Sequence, residues 1–584
     1  MKRCMLILVL CCLVSLPFFN CERKDMADQK FQQLVDGFLD GFYEAHPVWA
    51  TYIGDHRYDH LIDDYSSEAV QAEILRLRLF AENIKSIDTL GLNPTNKVDF
   101  KILENEINAQ LLRYEELRPF EKSPVMYTRL IGASINSLIT REYAPLRNRL
   151  TAAIYRLKRL PALVRQAKSN LKNPPEVQTR TAIRQNRGNI NLIKNDLAKV
   201  LERLPGWKDT LDHPMKTGIA TLEDYQTFLE EDLLPRSNGE FRLGKKLFEK
   251  KLKLTLQSDL SSDEIVKRAE AELASVRKRM FELAQPLHEK MFPGRQLKET
   301  GRELETVVIK EVLGEIAKDH PKKDELLAVC RQDLRELQEF VRQKDLIDLA
   351  GINQLEVDWT PEFSRGVAVA GLDSPGPLDK DQKSFYRVSP VPDHWTEEQQ
   401  ESFLREYNNY MLIDLSIHEA MPGHYVQGYY DNQFPSLLRS IFGSGVFIEG
   451  WAVYAERMMV HAGYMDYDPR MELTQLKMYV RAVINAILDT KIHAGGMTEE
   501  EALELMIDEG FQERSEAEGK WVRASLTSTQ LSTYFVGFQE IMDLERAYRE
   551  KVGEDFSQKE FNHKLLSYGS PPVRFLREII LGSE

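Results

Sequence analysis

His418 and His424 flank Glu419 in the segment Ser416-Ile417-His418-Glu419-Ala420-Met421-Pro422-Gly423-His424-Tyr425. Two imidazoles and a carboxylate this close together are the raw material of a catalytic zinc site: neutral ring nitrogens hold the ion and a glutamate takes a proton from water. The usual helical form of the motif sets its histidines four residues apart, on one face. Here they are six apart, so on an unbroken helix they would point roughly 120° away from each other and could not share an ion. The two extra residues are Pro422 and Gly423. Proline has no N–H for the carbonyl of His418, and glycine accepts backbone angles closed to other residues, so the helix can open and return His424 toward His418. The same string also describes an ordinary helix end at Met421 that leaves His424 in a loop.

A catalytic zinc site commonly adds a third protein ligand, often a glutamate from a following helix. Glu449 stands downstream in Ile448-Glu449-Gly450-Trp451-Ala452-Val453-Tyr454-Ala455-Glu456. Glu449 and Glu456 lie two turns apart, on one face of a helix whose other positions are largely apolar. Ionised carboxylates on such a face need a partner, and a metal is one. A solvated surface glutamate is the plainer account of either residue alone; behind the His-Glu-His cluster, ligation by Glu449 is favoured.

The stretch Glu449-Gly450-Trp451-Ala452-Val453-Tyr454 resembles the Glu-Gly-Phe-Ala-x-Tyr segment that carries the third zinc ligand in gluzincin aminopeptidases. A longer pattern resembles the bacterial domain-of-unknown-function 885 family: Glu406-Tyr407-Asn408 with Tyr410, the His418–His424 string with Tyr425 and Gln427, and the Glu449–Glu456 string. Its members are often secreted or lipid-anchored and are taken for zinc peptidases related to the helical gluzincins. Weaker matches at Pro47–Thr51, Gly54–Asp59 and Pro361–Gly366 extend the resemblance over most of the mature chain. The resemblance implies His418, His424 and Glu449 as zinc ligands and Glu419 as the general base that activates water and passes the proton to the leaving amine. It also directs attention to two segments for an oxyanion donor, Asp489–Thr498 and Gln530 with Tyr534 and Gly537. His493 and Tyr534 are the candidate donors, because both hydrogen-bond without changing charge. A satisfied histidine at a helix end and a core tyrosine are the plainer accounts. Lys491, Met497 and Ser528 stand where the family pattern has glycine, tryptophan and proline, which bears on the pocket lining more than on the metal. Arg481 and Arg523 could hold a substrate carboxylate bidentately, or act as ordinary ion-pair partners.

The elements that must position these groups are helical. Val70–Ile84, Val98–Glu116, Leu146–Leu171 and Asp263–Ala284 carry apolar residues at three- and four-residue spacings between charged ones, which predicts amphipathic core helices. Residues 351–391 differ: they are rich in proline and glycine, and Gly366–Gly371 and Ser384–Val388 read as short strands. These form either a plain connecting hairpin or, as the gluzincin resemblance implies, an edge that pairs with an extended peptide. The expected fold is mainly α, a large helical gluzincin-like body with a cleft and a small β-sheet element near the zinc site. An N-terminal helical region over 26–345 forms one wall, and a catalytic region over 350–584 supplies the zinc site.

Met1-Lys2-Arg3 followed by the apolar run Cys4–Phe19 has the form of an export signal. Cys21, which follows it closely, suggests a lipoprotein, although Phe18-Phe19-Asn20 is bulkier than the small residues that usually precede a lipidated cysteine, and a plain cleaved signal is the alternative. Only Cys330 remains beyond residue 21, which excludes a cysteine-based zinc site and an intrachain disulfide in the mature body. With 77 basic and 91 acidic residues interspersed and a net charge of −14, there is no basic face for nucleic acid. The expected function is therefore that of a zinc metallopeptidase acting on short peptides in the bacterial cell envelope, touching the membrane only through a lipid on Cys21. A zinc amidase on cell-wall or other small amides would use the same residues. A non-catalytic envelope binding protein would have no need of Glu419. Oligomeric state is left open.

Overall fold

The computed structural model describes residues 26–362, 365 and 370–582. The export signal expected over 1–21, including Cys21, and the strand expectation over 366–369 lie outside the described residues. The chain is mainly α-helical with a single three-stranded sheet among the described residues.

The amphipathic spans appear as helices Ser67–Asn83, Pro94–Leu112, Leu146–Asn170 and Ser262–Met291. Three of them start several residues earlier than, or just ahead of, their apolar stripes, because the first turn is set by polar caps. Ser66, Asn93 and Ser261 each accept a backbone N–H three residues ahead, satisfying donors that the helix itself cannot.

Two large cores result. In the first, α1 (26–45), α2 (Pro94–Leu112), α3 (Pro124–Thr140), α4 (Leu146–Asn170), α5 (Glu176–Asn191) and α6 (Lys208–Thr227) enclose Phe38, Leu103, Ile135, Leu157 and Leu222. The second contains α7 (Ser262–Met291), which packs along a long C-terminal helix, Pro469–His493. Residues 245–345 therefore pack with the C-terminal half of the chain. The boundary expected near 345 falls instead between Leu233 and Phe248, since Ile265, Ala269, Met280 and Leu337 bury their stripes in the second core. The short helix Leu437–Ile441 inserts Leu438 and Ile441 into the first core. Beside them the buried Arg439 pairs with Asp99 and donates to the carbonyls of Thr95 and Tyr568, tying the two halves together.

After α8 (Leu326–Gln343) come β1 (Leu355–Trp359), β2 (Ala370–Asp373) and β3 (Ser384–Val388). β3 is central and fully buried at Tyr386, parallel to β1 and antiparallel to β2. The strand expected at 384–388 is present, β2 covers the end of the other, and β1 was not anticipated. β2 is one of the two edge strands. A cavity of about 770 Å³ lies between it and α3, and it meets a second cavity of about 310 Å³ at Ala370, which lines both. No helix among the described residues is long and apolar enough to cross a membrane.

Candidate metal centre

The break between His418 and His424 is built from the residues that suggested it. Asn408 caps α9 (Asn409–Glu419) by accepting from Tyr410 N and Met411 N, and α9 ends at Glu419. The N–H groups of Ala420 and Met421 turn back to Ser416 O, the Met421–Pro422 bond is cis, and Gly423 N donates to Ile417 O at 2.9 Å. His424 then opens α10 (His424–Gln433), so it is a helical residue and not part of a loop. Gly423 has φ −70°, so its need for glycine is steric: a Cβ would lie 1.9 Å from His418 O. Trp451 Nε1 donates to the carbonyls of Pro422 at 3.1 Å and Gly423 at 3.3 Å, holding the break from the far side. The two imidazoles consequently meet edge to face with centroids 4.8 Å apart.

Glu449 reaches them from α11 (Gly445–His461) because α11 crosses α14 (Ser532–Val552) almost backbone to backbone. A Cβ on Gly450 would lie 2.4 Å from Gly537 C, and one on Gly537 1.9 Å from Val446 O. That contact sets Glu449 beside Gln530 and Tyr534. Glu449 Oε1 accepts from Gln530 Nε2 at 3.2 Å, while Oε2 lies 3.4 Å from His424 Nε2 and 3.7 Å from His418 Nε2. Ligand atoms of His418, His424 and Glu449 all fall within 4.8 Å of one another. Burial would raise the Glu449 carboxyl, yet the two histidines hold it well below the usual carboxylate range. Its Oε2 is buried without a hydrogen-bond partner among the described residues. A buried oxygen left bare between two ring nitrogens fits a divalent cation, and a two-imidazole, one-carboxylate set suits zinc.

Two carboxylates back this cluster. Glu456 Oε1 lies 2.6 Å from His418 Nδ1, so the ring donates there and presents Nε2 to the cluster. Burial would lower the His418 imidazole, but Glu449 and Glu456 push it well above its ordinary value. Asp414, one turn before His418, is fully buried with both oxygens unpartnered among the described residues. Burial, then the neighbouring Glu456 charge, raise its carboxyl far above the usual range. Glu456 was visible in the sequence as a second acid on the Glu449 face; Asp414 carried no signal beyond its i,i+4 spacing to His418.

Glu419 and Tyr534 line the 310 Å³ cavity together with His418. The Glu419 carboxylate makes no hydrogen bond among the described residues and borders open space. The Tyr534 hydroxyl accepts from Arg523 Nη2 at 2.8 Å and Gln530 Nε2 at 3.3 Å, which leaves its own proton to donate. His493 must be corrected. It closes α12 (Pro469–His493), and its Nε2–H is committed to the carbonyls of Ala524 at 2.9 Å and Thr527 at 2.7 Å, outside the cavity lining. One turn earlier, Asp489 accepts from Thr529 N, Ser532 N and Ser532 Oγ. Asp489 and His493 thus pin the turn between α13 (Arg514–Leu526) and α14, which presents Gln530 and Tyr534. Arg481 is held by Glu516, with Glu406 3.5 Å away. No sequence pattern singles out Lys520, a cavity-lining lysine that is 7 % exposed.

Fold and site together define a mainly helical protein with a His–His–Glu cluster at the wall of an internal cavity. The chain belongs to the family described as bacterial protein of unknown function (DUF885), whose model matches residues 47–580. It is similar to a protein of Shewanella oneidensis described as a candidate lipoprotein of unknown function, with 32% identity and a TM-score of 0.79 over 94% of this chain and 99% of that one. A candidate lipoprotein from Colwellia psychrerythraea, 19% identical, shares the fold with a TM-score of 0.77 over 94% and 98% of the respective chains. Among curated proteins there is no match.

Proposed function

We propose that this protein is a zinc-dependent hydrolase of peptide bonds, acting on short peptides. The observation that carries the reading is the convergence of His418, His424 and Glu449 within 4.8 Å beside a cavity lined by His418 and Glu419. A zinc ion held by these three residues supplies Lewis acidity toward water and the scissile carbonyl. Glu419 takes the proton of the attacking water and delivers it to the departing amine. Tyr534, its hydroxyl oxygen occupied by Arg523 and Gln530, donates its proton toward the oxygen on which charge develops. Glu456 fixes the His418 ring. A volume of about 310 Å³ suits a few residues of peptide, and the free edge of β2, continuous with it at Ala370, offers backbone groups to an extended chain.

The same reading sets the protein in the cell envelope, anchored by a lipid on Cys21. Support comes from the apolar run before Cys21 and from the Shewanella relative's description as a candidate lipoprotein. Cys21→Ser should move the protein from the membrane pellet to the soluble fraction; an unchanged distribution would remove the anchor.

The decisive experiment measures metal content and peptide-library cleavage for the mature chain beside Glu419→Gln. The expected result is about one zinc per chain in both and cleavage by wild type only. Zinc in both with no cleavage by either would move the activity to other amides or to binding, and absence of zinc would overturn the reading.

A further inference from the structure

Lys520 lies on α13 with 7 % of its surface exposed, and no hydrogen bond or ion pair reaches its ammonium among the described residues. Interior charges are ordinarily paired, and two nearby cations are. Lys477 donates to Glu406 Oε2 at 2.9 Å. Arg481 is matched by Glu516, whose other oxygen accepts from Tyr407 OH at 2.8 Å. Arg523, one turn beyond Lys520, has no carboxylate within salt-bridge distance among the described residues. Among the described residues its Nη2 donates only to the neutral oxygens of Tyr534 and Gln530, and Nε and Nη1 make no hydrogen bond. Both side chains line the cavity that holds His418, Glu419 and Tyr534. Lys520 and Arg523 therefore stand in this wall without a carboxylate partner among the described residues. Burial first, then Arg523 and Arg481, lower the Lys520 ammonium to about 7, a cost that a bound anion relieves.

We infer that Lys520 and Arg523 form a subsite for a carboxylate of the substrate, seated in the cavity beside Glu419. This rests on the reading of the cavity as a peptide-hydrolysing site and names the substrate group which that reading leaves open. A guanidinium with free N–H groups and an adjacent ammonium suit an oxyanion with two acceptor oxygens. Such a group arrives either as the C-terminal carboxylate of a peptide or as an aspartate or glutamate side chain.

Binding can be read without turnover in zinc-loaded Glu419→Gln protein, by calorimetry with trialanine, trialanine amide and alanyl-glutamyl-alanine amide. The expected result is that trialanine binds at least tenfold tighter than its amide, and that adding Lys520→Met removes the difference while Lys520→Arg keeps most of it. A gain for the glutamyl amide over trialanine amide, lost in Lys520→Met, would assign the subsite to an acidic side chain. Equal binding of all three peptides, binding of none, or a preference that survives Lys520→Met would each overturn the inference. Zinc content of Lys520→Met, expected to stay near that of the parent, and a thermal midpoint no lower than the parent's separate a lost subsite from a lost fold. Hydrolysis is scored separately on wild type, so a protein that prefers the acid yet cleaves nothing would end the peptidase reading and leave the subsite standing.

Discussion

Two walls of one cavity are built with opposite charge, and each is incomplete in its own sense. The wall formed by α9 and α11 backs onto a cluster in which Glu449, Glu456 and Asp414 surround two imidazoles and Glu449 Oε2 is left without a hydrogen among the described residues. The wall formed by α13 presents Lys520 and Arg523 with no carboxylate partner among the described residues, although Arg481 close by is paired with Glu516. A buried polar group without a partner costs about 1–3 kcal/mol, so unmatched groups rarely persist without a use. Here they are segregated by sign, a cation completing one wall and an anion the other. The contrast separates binding from chemistry: the anionic wall is where a metal can act, and the cationic wall is where a ligand can be held by its charge.

The largest expected effect strikes the anionic wall. Glu419→Gln should lower kcat by about 10²–10⁴ with zinc content unchanged, measured by steady-state kinetics beside metal analysis; a variant that keeps wild-type kcat would take the base away from this wall. Next comes Glu456→Gln. Loss of the carboxylate on His418 Nδ1 should weaken zinc affinity about 10–100-fold, read by competition with a chromophoric chelator, and unaltered affinity would make that contact incidental.

The cationic wall has its own signature in pH. Lys520 is lowered from 10.5 to about 7 by burial and by Arg523 and Arg481, against the opposing charges of Glu516 and Glu406. Between those values the unfolded chain holds a proton that the folded chain has released, so this group makes stability rise with pH, by about 1.4 kcal/mol per unit. Below about 7 both states are protonated and the slope vanishes. Urea denaturation of wild type and Lys520→Met across this range should show the component only in wild type; parallel curves would mean that Lys520 is not held as a buried, unmatched cation. The smallest effect tests what joins the walls to the scaffold. Trp451→Phe removes the donor to Pro422 O and Gly423 O and should cost about 1 kcal/mol of stability. No loss in urea denaturation would show that the break supports itself.

What was legible in the sequence divides along the same line. The anionic wall could be read because its cause is local: proline and glycine between two histidines are backbone chemistry, and Glu449 with Glu456 is helical periodicity. The helices themselves follow from apolar stripes, with starts misjudged only where caps are polar. The cationic wall could not be read, because Lys520 resembles any helical lysine until α12 and α14 pack around it. His493 was misjudged for a related reason: the residue type suits an oxyanion donor, but Ala524 O and Thr527 O, which occupy its Nε2–H, are brought there by tertiary packing. The Gly450–Gly537 crossing was likewise hidden, since neither glycine reveals its partner. The 245–345 helices were assigned by sequence proximity, whereas their stripes bury in the second core.

Trp451 has one more consequence. Its indole is fully buried on the helix of one ligand and bonded to the carbonyls just ahead of another. The emission of such a ring depends on those bonds, so the protein carries an internal optical gauge of its centre. A fluorescence change on adding and then stripping the ion, absent in Trp451→Phe, would follow loading in real time without a label or a substrate.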